Sequence, residues 1–363
     1  MSAANKVAAW SVVAPIVGWL LLGGTLLGWG GGVYIALLAV GLVGSVLAAV
    51  HHAEVVAHKL GEPYGTLVLA IAVTVIEVAL IVSLMLAGGP AAASLARDTV
   101  FAAVMIILTG IVGICMLLGG LRHGEQRFRL DGASGALVTL AAIAILTMVR
   151  PNYTLTTPGP YYSDWQLAFI ALVTLVLYGT FVLVQTVRHR DYFLPRAADG
   201  TIDLEQHADP PTTKATWISF ALLLVCLAGV VLLAKSLAGP MEFALKAMGA
   251  PPALLGIIIA SVVMLPEGVA AARAAQANRL QTSLNLALGS ALASIGLTIP
   301  TVAVLSLSFG WTLALGLDSM ATVLLLLSLF LATISFSTGR TTILQGVVHL
   351  VLFAVYLFVT IVP

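Results

Sequence analysis

Two glutamates lie in the middle of apolar runs, where a helix would cross a membrane. Glu77 is in TLVLAIAVTVIEVALIVSLML, and Glu267 is in LLGIIIASVVMLPEGVAAA. A charged side chain at the centre of such a helix costs about 2.5–3.5 kcal/mol on insertion scales, so it usually marks function. Within each run, no Lys or Arg lies within one helical turn of the glutamate. Both carboxyl groups are therefore candidates to bind cations or protons.

Oxygen atoms near the two glutamates could complete a cation site. Thr74 precedes the first glutamate by three residues, on the same helix face. Ser290 and Ser294 lie in the apolar run that follows the second glutamate. Pro266 has no backbone N–H, so the carbonyl four residues earlier loses its usual partner. Ca²⁺ prefers six to eight oxygen ligands, and such a set also accepts Na⁺. The sequence shows no Cys or His cluster that would indicate Zn²⁺.

A purely structural role is open for each of these residues. A buried Glu can simply hydrogen-bond a neighbouring helix, and Ser or Thr in membrane helices often serves packing. Four other titratable residues are candidates for a gate or access route. Each also has a plainer explanation. Most such acidic groups are solvated, and a buried histidine is usually hydrogen-bonded internally. The alternative for the histidine is that it carries protons. These four are Glu54, Glu62, Glu242 and His349.

The composition predicts an all-α membrane protein. Hydrophobic residues make up 60% of the chain and charged residues 9%, whereas a soluble domain has about 25% charged residues. A net charge of +1 gives no reason to expect nucleic acid, which requires a basic surface. Cys115 and Cys226 both lie within apolar runs and have no metal or redox spacing, so we expect packing roles.

Eleven apolar runs are long enough to span a bilayer, which takes about 20 residues each. The first exceeds the usual apolar core of a signal peptide, about 7–15 residues, and is predicted to be a retained helix. The predicted spans are 9–29, 32–50, 64–88, 98–121, 133–149, 165–187, 215–237, 251–273, 281–308, 317–336 and 342–362.

The arrangement of the spans predicts four segments. Residues 1–30 form an N-terminal helix, 31–187 a first five-helix repeat, 188–214 a polar cytoplasmic linker and 215–363 a second repeat. The two glutamates then occupy matching places, five spans apart. Because five is odd, the repeats face opposite ways across the membrane, which is a recurring plan in transporters with a midplane site.

The distribution of Lys and Arg predicts the orientation. Loops on the N-terminal side carry twelve of these residues and the opposite loops carry four. Because cytoplasmic loops are enriched in Lys and Arg, the N-terminus and the linker are predicted to be cytoplasmic and the C-terminus periplasmic. The four opposite residues are Arg97, Arg150, Lys235 and Lys246.

Several segments resemble the cation/proton exchangers of the Ca²⁺:cation antiporter superfamily, most of all its bacterial calcium/sodium–proton antiporters. HKLGEPYGTLVLAIAVTVIEVALI is similar to the first signature repeat, and GAPPALLGIIIASVVMLPEG and GSALASIG are similar to the second. GGLRHGEQRFR, YGTFVLVQT and TTILQGVVHLVLFAVY resemble further landmarks. The family's Gly-Asn before each glutamate is replaced by Val73-Thr74 and Val263-Met264, and an acid often found in its last span by Gln345.

The resemblance implies exchange of Ca²⁺, and of Na⁺ or K⁺, for H⁺ across a bacterial inner membrane. The cation would be exported by the proton gradient, with Glu77 and Glu267 as the shared site and without a cofactor. The expected partners are inorganic cations, protons and the lipid bilayer, and a homo-oligomer is compatible with the sequence. The alternatives are a Na⁺(K⁺)/H⁺ antiporter with little Ca²⁺ activity, a channel, or an intramembrane enzyme, for which the spans show no HExxH motif or paired aspartates.

Overall fold

The structure is a computed structural model that describes residues 8–61, 64–193 and 211–362. Within these ranges, eleven helices are long and apolar enough to cross a membrane, which confirms the predicted fold class and number of spans. They are α1 Ala9–Leu26, α2 Gly32–Leu60, α3 Tyr64–Gly88, α4 Leu95–His123, α5 Leu130–Tyr153, α6 Asp164–Arg188, α7 Thr213–Ala247, α8 Ala253–Gln276, α9 Leu280–Phe309, α10 Ser319–Phe336 and α11 Ile343–Ile361.

Local sequence signals explain several helix ends. The N-cap of α10 is Asp318, whose carboxylate accepts the backbone N–H of Ala321 at 2.8 Å. At the start of α11, the N–H of Thr342 donates to Oε1 of Gln345 at 2.6 Å in a capping box. Gln345 therefore caps a helix in the first turn of α11. The residue that directly follows α9 is Gly310, whose φ of 67° lies in the left-handed region that favours glycine.

The second helix is longer than predicted. The sequence places its end near residue 50, but α2 continues to Leu60, so that prediction is wrong. Residues 51–60 contain no Gly or Pro, and the helix ends only at Gly61, whose φ is 67°. Because 29 residues extend about 43 Å along a helix axis, α2 exceeds the roughly 30 Å of a hydrocarbon core.

In the part of the chain that the structure describes, three helices contain a widened turn with backbone hydrogen bonds five residues apart. In α4 this turn is Ile106–Ile111, and it separates Leu95–Met105 from Val112–His123. In α5 and α6 the wide turns are Ile145–Val149 and Val184–Arg188, near the helix ends. Such turns are rare and occur frequently at functional sites.

The chain divides into two compact units. The first comprises residues 1–92 and 205–250 and contains α1, α2, α3 and α7. Within it α2 packs against the other three helices, and the buried leucines of one core cluster come from α1, α2 and α7. This cluster is Leu22, Leu38, Leu233 and Leu237.

The second unit comprises residues 93–204 and 251–363 and contains the other seven helices. Its most buried helix is α4, which packs against α8, α9 and α11. Two short strands pair antiparallel beside it: β1, Gln126–Arg127, and β2, Arg340–Thr341. The predicted division into two five-helix repeats stays a prediction.

Candidate cation and proton site

Glu77 is buried in α3 of the first unit. Its exposed fraction is 1%, and the side chains of Ile76 and Leu80 beside it are 0% and 3% exposed. Thr74, one turn earlier, is 5% exposed and donates its hydroxyl proton to the carbonyl of Ala70 at 2.9 Å. The structure thus places a carboxylate and a hydroxyl oxygen in an apolar environment, on one face of the same helix.

Glu267 lies in α8 of the second unit and is partly exposed. The residue before it, Pro266, is inside the helix, so one backbone carbonyl has no N–H partner from that position. The carbonyl four residues earlier belongs to Val262, which is also partly exposed. A carboxylate and a released carbonyl therefore occupy neighbouring turns of α8.

The serines of α9 extend this group of oxygens. Ser290 donates its hydroxyl proton to the thioether sulfur of Met264 at 3.4 Å. Because Met264 and Glu267 are three residues apart, they share a helix face, and the contact places Ser290 beside that face. Ser294 lies one turn further along α9 and is fully buried.

His349, a candidate for proton transfer or gating, is fully buried in α11. Its Nδ1 lies 2.7 Å from the carbonyl oxygen of Leu108, and its Nε2 lies 3.1 Å from Oγ of Ser335. The structure therefore agrees with the plainer alternative of an internally bonded histidine. Leu108 belongs to the wide turn of α4, which cannot be recognised in the sequence because the same residues also fit an ordinary apolar helix.

The other gate candidates have different surroundings. Glu54 is exposed on α2, but the neighbouring His52 is fully buried, and its Nε2 lies 3.1 Å from the carbonyl of Ser11 in α1. His52 is thus buried and not solvated, because α1 covers that face of α2. Glu62 and the side chain of Glu242 lie outside the described residues.

A further buried acid, absent from the predicted site residues, is Asp98 at the start of α4. It is 9% exposed and pairs with Arg97 at 2.7 Å, while Ser94 donates to its Oδ2 at 2.8 Å. Arg97 also donates to the carbonyl of Gly316 at 2.7 Å. The ion pair with Arg97 explains why Asp98 can be buried. In the sequence, the adjacent Arg97 and Asp98 are the pattern that could have indicated this pair.

The two glutamates thus lie in different units, each with hydroxyl or carbonyl oxygens in the turns around it. Among the described residues, no three His, Cys, Asp or Glu side chains form a metal-binding group. A cation would therefore need hydroxyl, carbonyl or water oxygens in addition to carboxylates, which is the ligand set that Ca²⁺ and other hard cations accept.

The family model of the sodium/calcium exchanger protein matches residues 30–187 and 218–362. The putative ionic transporter y4hA of Sinorhizobium fredii is 50% identical over 336 residues, which are 91% of this chain and 89% of that protein. The sodium-potassium/proton antiporter ChaA of Escherichia coli is 38% identical over 321 residues, 88% and 87% of the two chains. A Ca²⁺/H⁺ antiporter of Aphanothece halophytica is 25% identical over 266 residues, 70% of each.

Solved structures show the same fold. Native YfkE superimposes with a TM-score of 0.72 at 16% identity, covering 98% of this chain and 100% of that one. The H⁺/Ca²⁺ exchanger CAX gives a TM-score of 0.71 at 14% identity, covering 96% and 87%. At this level of identity the likeness concerns the arrangement of the helices alone.

Proposed function

The chain belongs to the sodium/calcium exchanger protein family, and we propose that it is a secondary active antiporter that exchanges Ca²⁺, and also Na⁺ or K⁺, for protons. It exports the cation across the bacterial inner membrane with the energy of the proton gradient. The observation that carries this proposal is the burial of Glu77, 1% exposed, in the middle of a membrane-spanning helix.

The proposed site consists of Glu77 and Glu267, with Thr74, Ser290 and Ser294 as secondary oxygen ligands. Burial away from water disfavours the ionised form of a carboxyl group, and either a proton or a bound cation offsets that penalty. Proton and cation therefore compete for the same oxygens. Alternate exposure of such a site to the two sides of the membrane gives exchange without a covalent step and without a cofactor.

Charge supports two acids acting together. If one Ca²⁺ left for each entering proton, one net charge would move outward against an inside-negative potential, which costs about 2.3 kcal/mol per 100 mV. Two protons for one Ca²⁺ remove this cost. Two carboxyl groups can hold two protons, so the pair suits an electroneutral exchange of Ca²⁺.

The alternative function is a Na⁺(K⁺)/H⁺ antiporter with little Ca²⁺ activity. The named activity of the E. coli relative is compatible with it, and that of the A. halophytica relative is compatible with Ca²⁺ exchange. The residue three before Glu267 is Met264, whose thioether is a soft atom, whereas Ca²⁺ prefers hard oxygen ligands. The replacement of the family's asparagine by Met264 therefore affects how strongly Ca²⁺ binds. It leaves the competition between proton and cation intact.

Orientation and access complete the proposal. The N-terminus and the linker 188–214 face the cytoplasm and the C-terminus faces the periplasm, as the Lys and Arg distribution predicts. Glu54, Glu62 and Glu242 remain candidates for the access routes. We assign the chain a transport function and no enzymatic one.

Proton movement in inside-out membrane vesicles tests the proposal. Vesicles from cells that lack other such exchangers are acidified by respiration, and a pH-sensitive dye reports the interior. Addition of Ca²⁺, Na⁺ or K⁺ separately should release protons only when the protein is present, and the order of the three ions distinguishes the two candidate functions. A response identical to that of vesicles without the protein would contradict both.

A further inference from the structure

The wide turn of α4 disturbs the normal pairing of backbone carbonyls. The N–H of Val112 donates to the carbonyl of Ile107, five residues back, and an ordinary α-helix continues from Val112. A return from five-residue to four-residue spacing leaves one carbonyl without a backbone donor. Leu108 follows Ile107 at the place of this change. Because all of Ile106–Ile111 is buried, water is a poor substitute for the missing donor, and an unmade bond there is costly.

His349 provides the donor for this carbonyl. Its Nδ1 lies 2.7 Å from the oxygen of Leu108, and since a carbonyl only accepts, Nδ1 carries the proton. In a neutral ring Nε2 is then an acceptor, and it faces the hydroxyl of Ser335 at 3.1 Å. The two contacts from α4 and α10 fix both the tautomer and the orientation of the ring.

The backbones of α4 and α11 approach closely next to this contact. A Cβ added to Gly346, three residues before His349, would lie 2.6 Å from the backbone nitrogen of Leu117. Only glycine permits this approach without a shift of one helix. The imidazole of His349 is thereby held at hydrogen-bonding distance from the wide turn.

The wide turn also contacts the helix that bears Glu267. A Cβ added to Gly268 would lie 3.2 Å from Cδ1 of Ile111, so the residue directly after Glu267 packs against the turn. A displacement of Ile106–Ile111 would consequently be transmitted to the backbone of Glu267, because packed interiors transmit strain.

We propose that His349 is a positioning residue for exchange: it satisfies the carbonyl of Leu108, holds the wide turn of α4 in place and so fixes the backbone at Glu267. This inference rests on the proposed function. It differs from proton transfer through His349, because the amide carbonyl that receives the Nδ1 proton is not a base that can pass a proton onward.

A pair of amide substitutions separates the two ring nitrogens. In His349→Asn the side-chain NH₂ occupies a place close to Nδ1 and can still donate to Leu108. In His349→Gln the NH₂ lies close to Nε2, nearer to Ser335. The cation concentration that gives half-maximal proton release should stay within about twofold of wild type in His349→Asn. In His349→Gln and His349→Ala it should rise on the order of tenfold, which corresponds to about 1.4 kcal/mol, with a smaller change in maximal rate.

Two further measurements keep the proposal testable without transport. Protein level in the membrane shows whether each variant folds. The rise in melting temperature that CaCl₂ produces in detergent should be retained in His349→Asn and reduced in His349→Gln. Ser335→Ala, which removes only the other contact, should have a smaller effect than His349→Gln on both measurements.

Several outcomes would overturn the proposal. Equal behaviour of His349→Asn and His349→Gln would show that the bond to Leu108 has no special role. An unchanged half-maximal cation concentration in His349→Ala would exclude positioning. An absence of cation-dependent proton release in the wild-type protein would refute the proposed function instead. The CaCl₂-dependent melting of His349→Asn and His349→Gln would still decide the role of His349.

Discussion

Thr74 donates its hydroxyl proton to the carbonyl oxygen of Ala70, 2.9 Å away, so the lone pairs of Oγ1 remain available on the face of α3 that carries Glu77. Thr74→Val keeps the shape and removes this oxygen, whereas Thr74→Ser keeps it. We expect Thr74→Val to raise the half-maximal cation concentration in inside-out vesicles about five- to tenfold, roughly 1–1.4 kcal/mol of lost binding, and Thr74→Ser to change it little.

Thr301→Val is the matched control for this substitution. Thr301 makes the same type of bond within its own helix, to the carbonyl of Leu297 at 2.7 Å, but it is exposed. The control should leave the half-maximal concentration unchanged. If Thr74→Val behaves like Thr301→Val, Thr74 is a packing residue and not a ligand.

Met264 lies three residues before Glu267. The exchangers that this sequence resembles have an asparagine, with an amide side chain, at that position. Met264 is 2% exposed and accepts the hydroxyl proton of Ser290. Met264→Asn supplies a hard oxygen beside Glu267 and should lower the half-maximal Ca²⁺ concentration about threefold or more, with little change for Na⁺. Met264→Leu, which preserves volume without an oxygen, should not. A Ca²⁺ response that is unchanged or weaker in Met264→Asn, at normal protein level, would place Met264 outside the cation site.

A substitution at Gly346 tests the close packing of α4 and α11. An added methyl group would meet the backbone nitrogen of Leu117 at 2.6 Å, so Gly346→Ala requires a helix to move and should destabilise the protein by about 1–3 kcal/mol. At Gly179, in α6, a Cβ meets nothing within 4 Å. Gly179→Ala should therefore be neutral or stabilising, since alanine favours helices by about 0.5–1 kcal/mol over glycine. Melting in detergent measures both, and a Gly346→Ala protein that melts no lower than Gly179→Ala would argue against this close approach.

The predicted orientation requires the two ends of the chain to lie on opposite sides. With eleven spans and twelve of sixteen Lys and Arg residues on the N-terminal side, a reporter inserted near residue 200 should indicate the cytoplasm. A reporter at the C-terminus should indicate the periplasm. Signals from the same side at both positions would require a different number of spans and would remove the basis for the inverted repeats.

The number of spans followed from the sequence because a membrane imposes a simple rule: about 20 apolar residues per helix, with polar residues elsewhere. Burial of Glu77 followed from its place within such a run. The end of α2 was missed because hydropathy falls at His51 and His52, whereas the helix itself stops only at Gly61. Hydropathy marks where lipid contact ends and carries little information about where backbone hydrogen bonding ends.

Contacts between distant residues were beyond the sequence. The histidines at 52 and 349 are separated from their carbonyl partners, Ser11 and Leu108, by 41 and 241 residues. Nothing local to either histidine indicates such a partner, since a buried carbonyl becomes available only through the packing of another helix. The wide turn of α4 could not be predicted either, because its residues are ordinary apolar helix formers apart from Thr109 and Gly110.

The central claim, that Glu77 and Glu267 form the shared site for cation and proton, is tested most directly by cation-dependent proton release from inside-out vesicles that contain Glu77→Gln or Glu267→Gln. Glutamine keeps the size and one oxygen of the side chain but cannot ionise, so it resembles a permanently protonated site. Each variant should be present in the membrane at the wild-type level, because glutamine keeps the volume and the hydrogen-bonding capacity of the side chain, and each should release no protons when Ca²⁺, Na⁺ or K⁺ is added. Measurable proton release by either variant at normal protein level would show that this pair is not the coupling site.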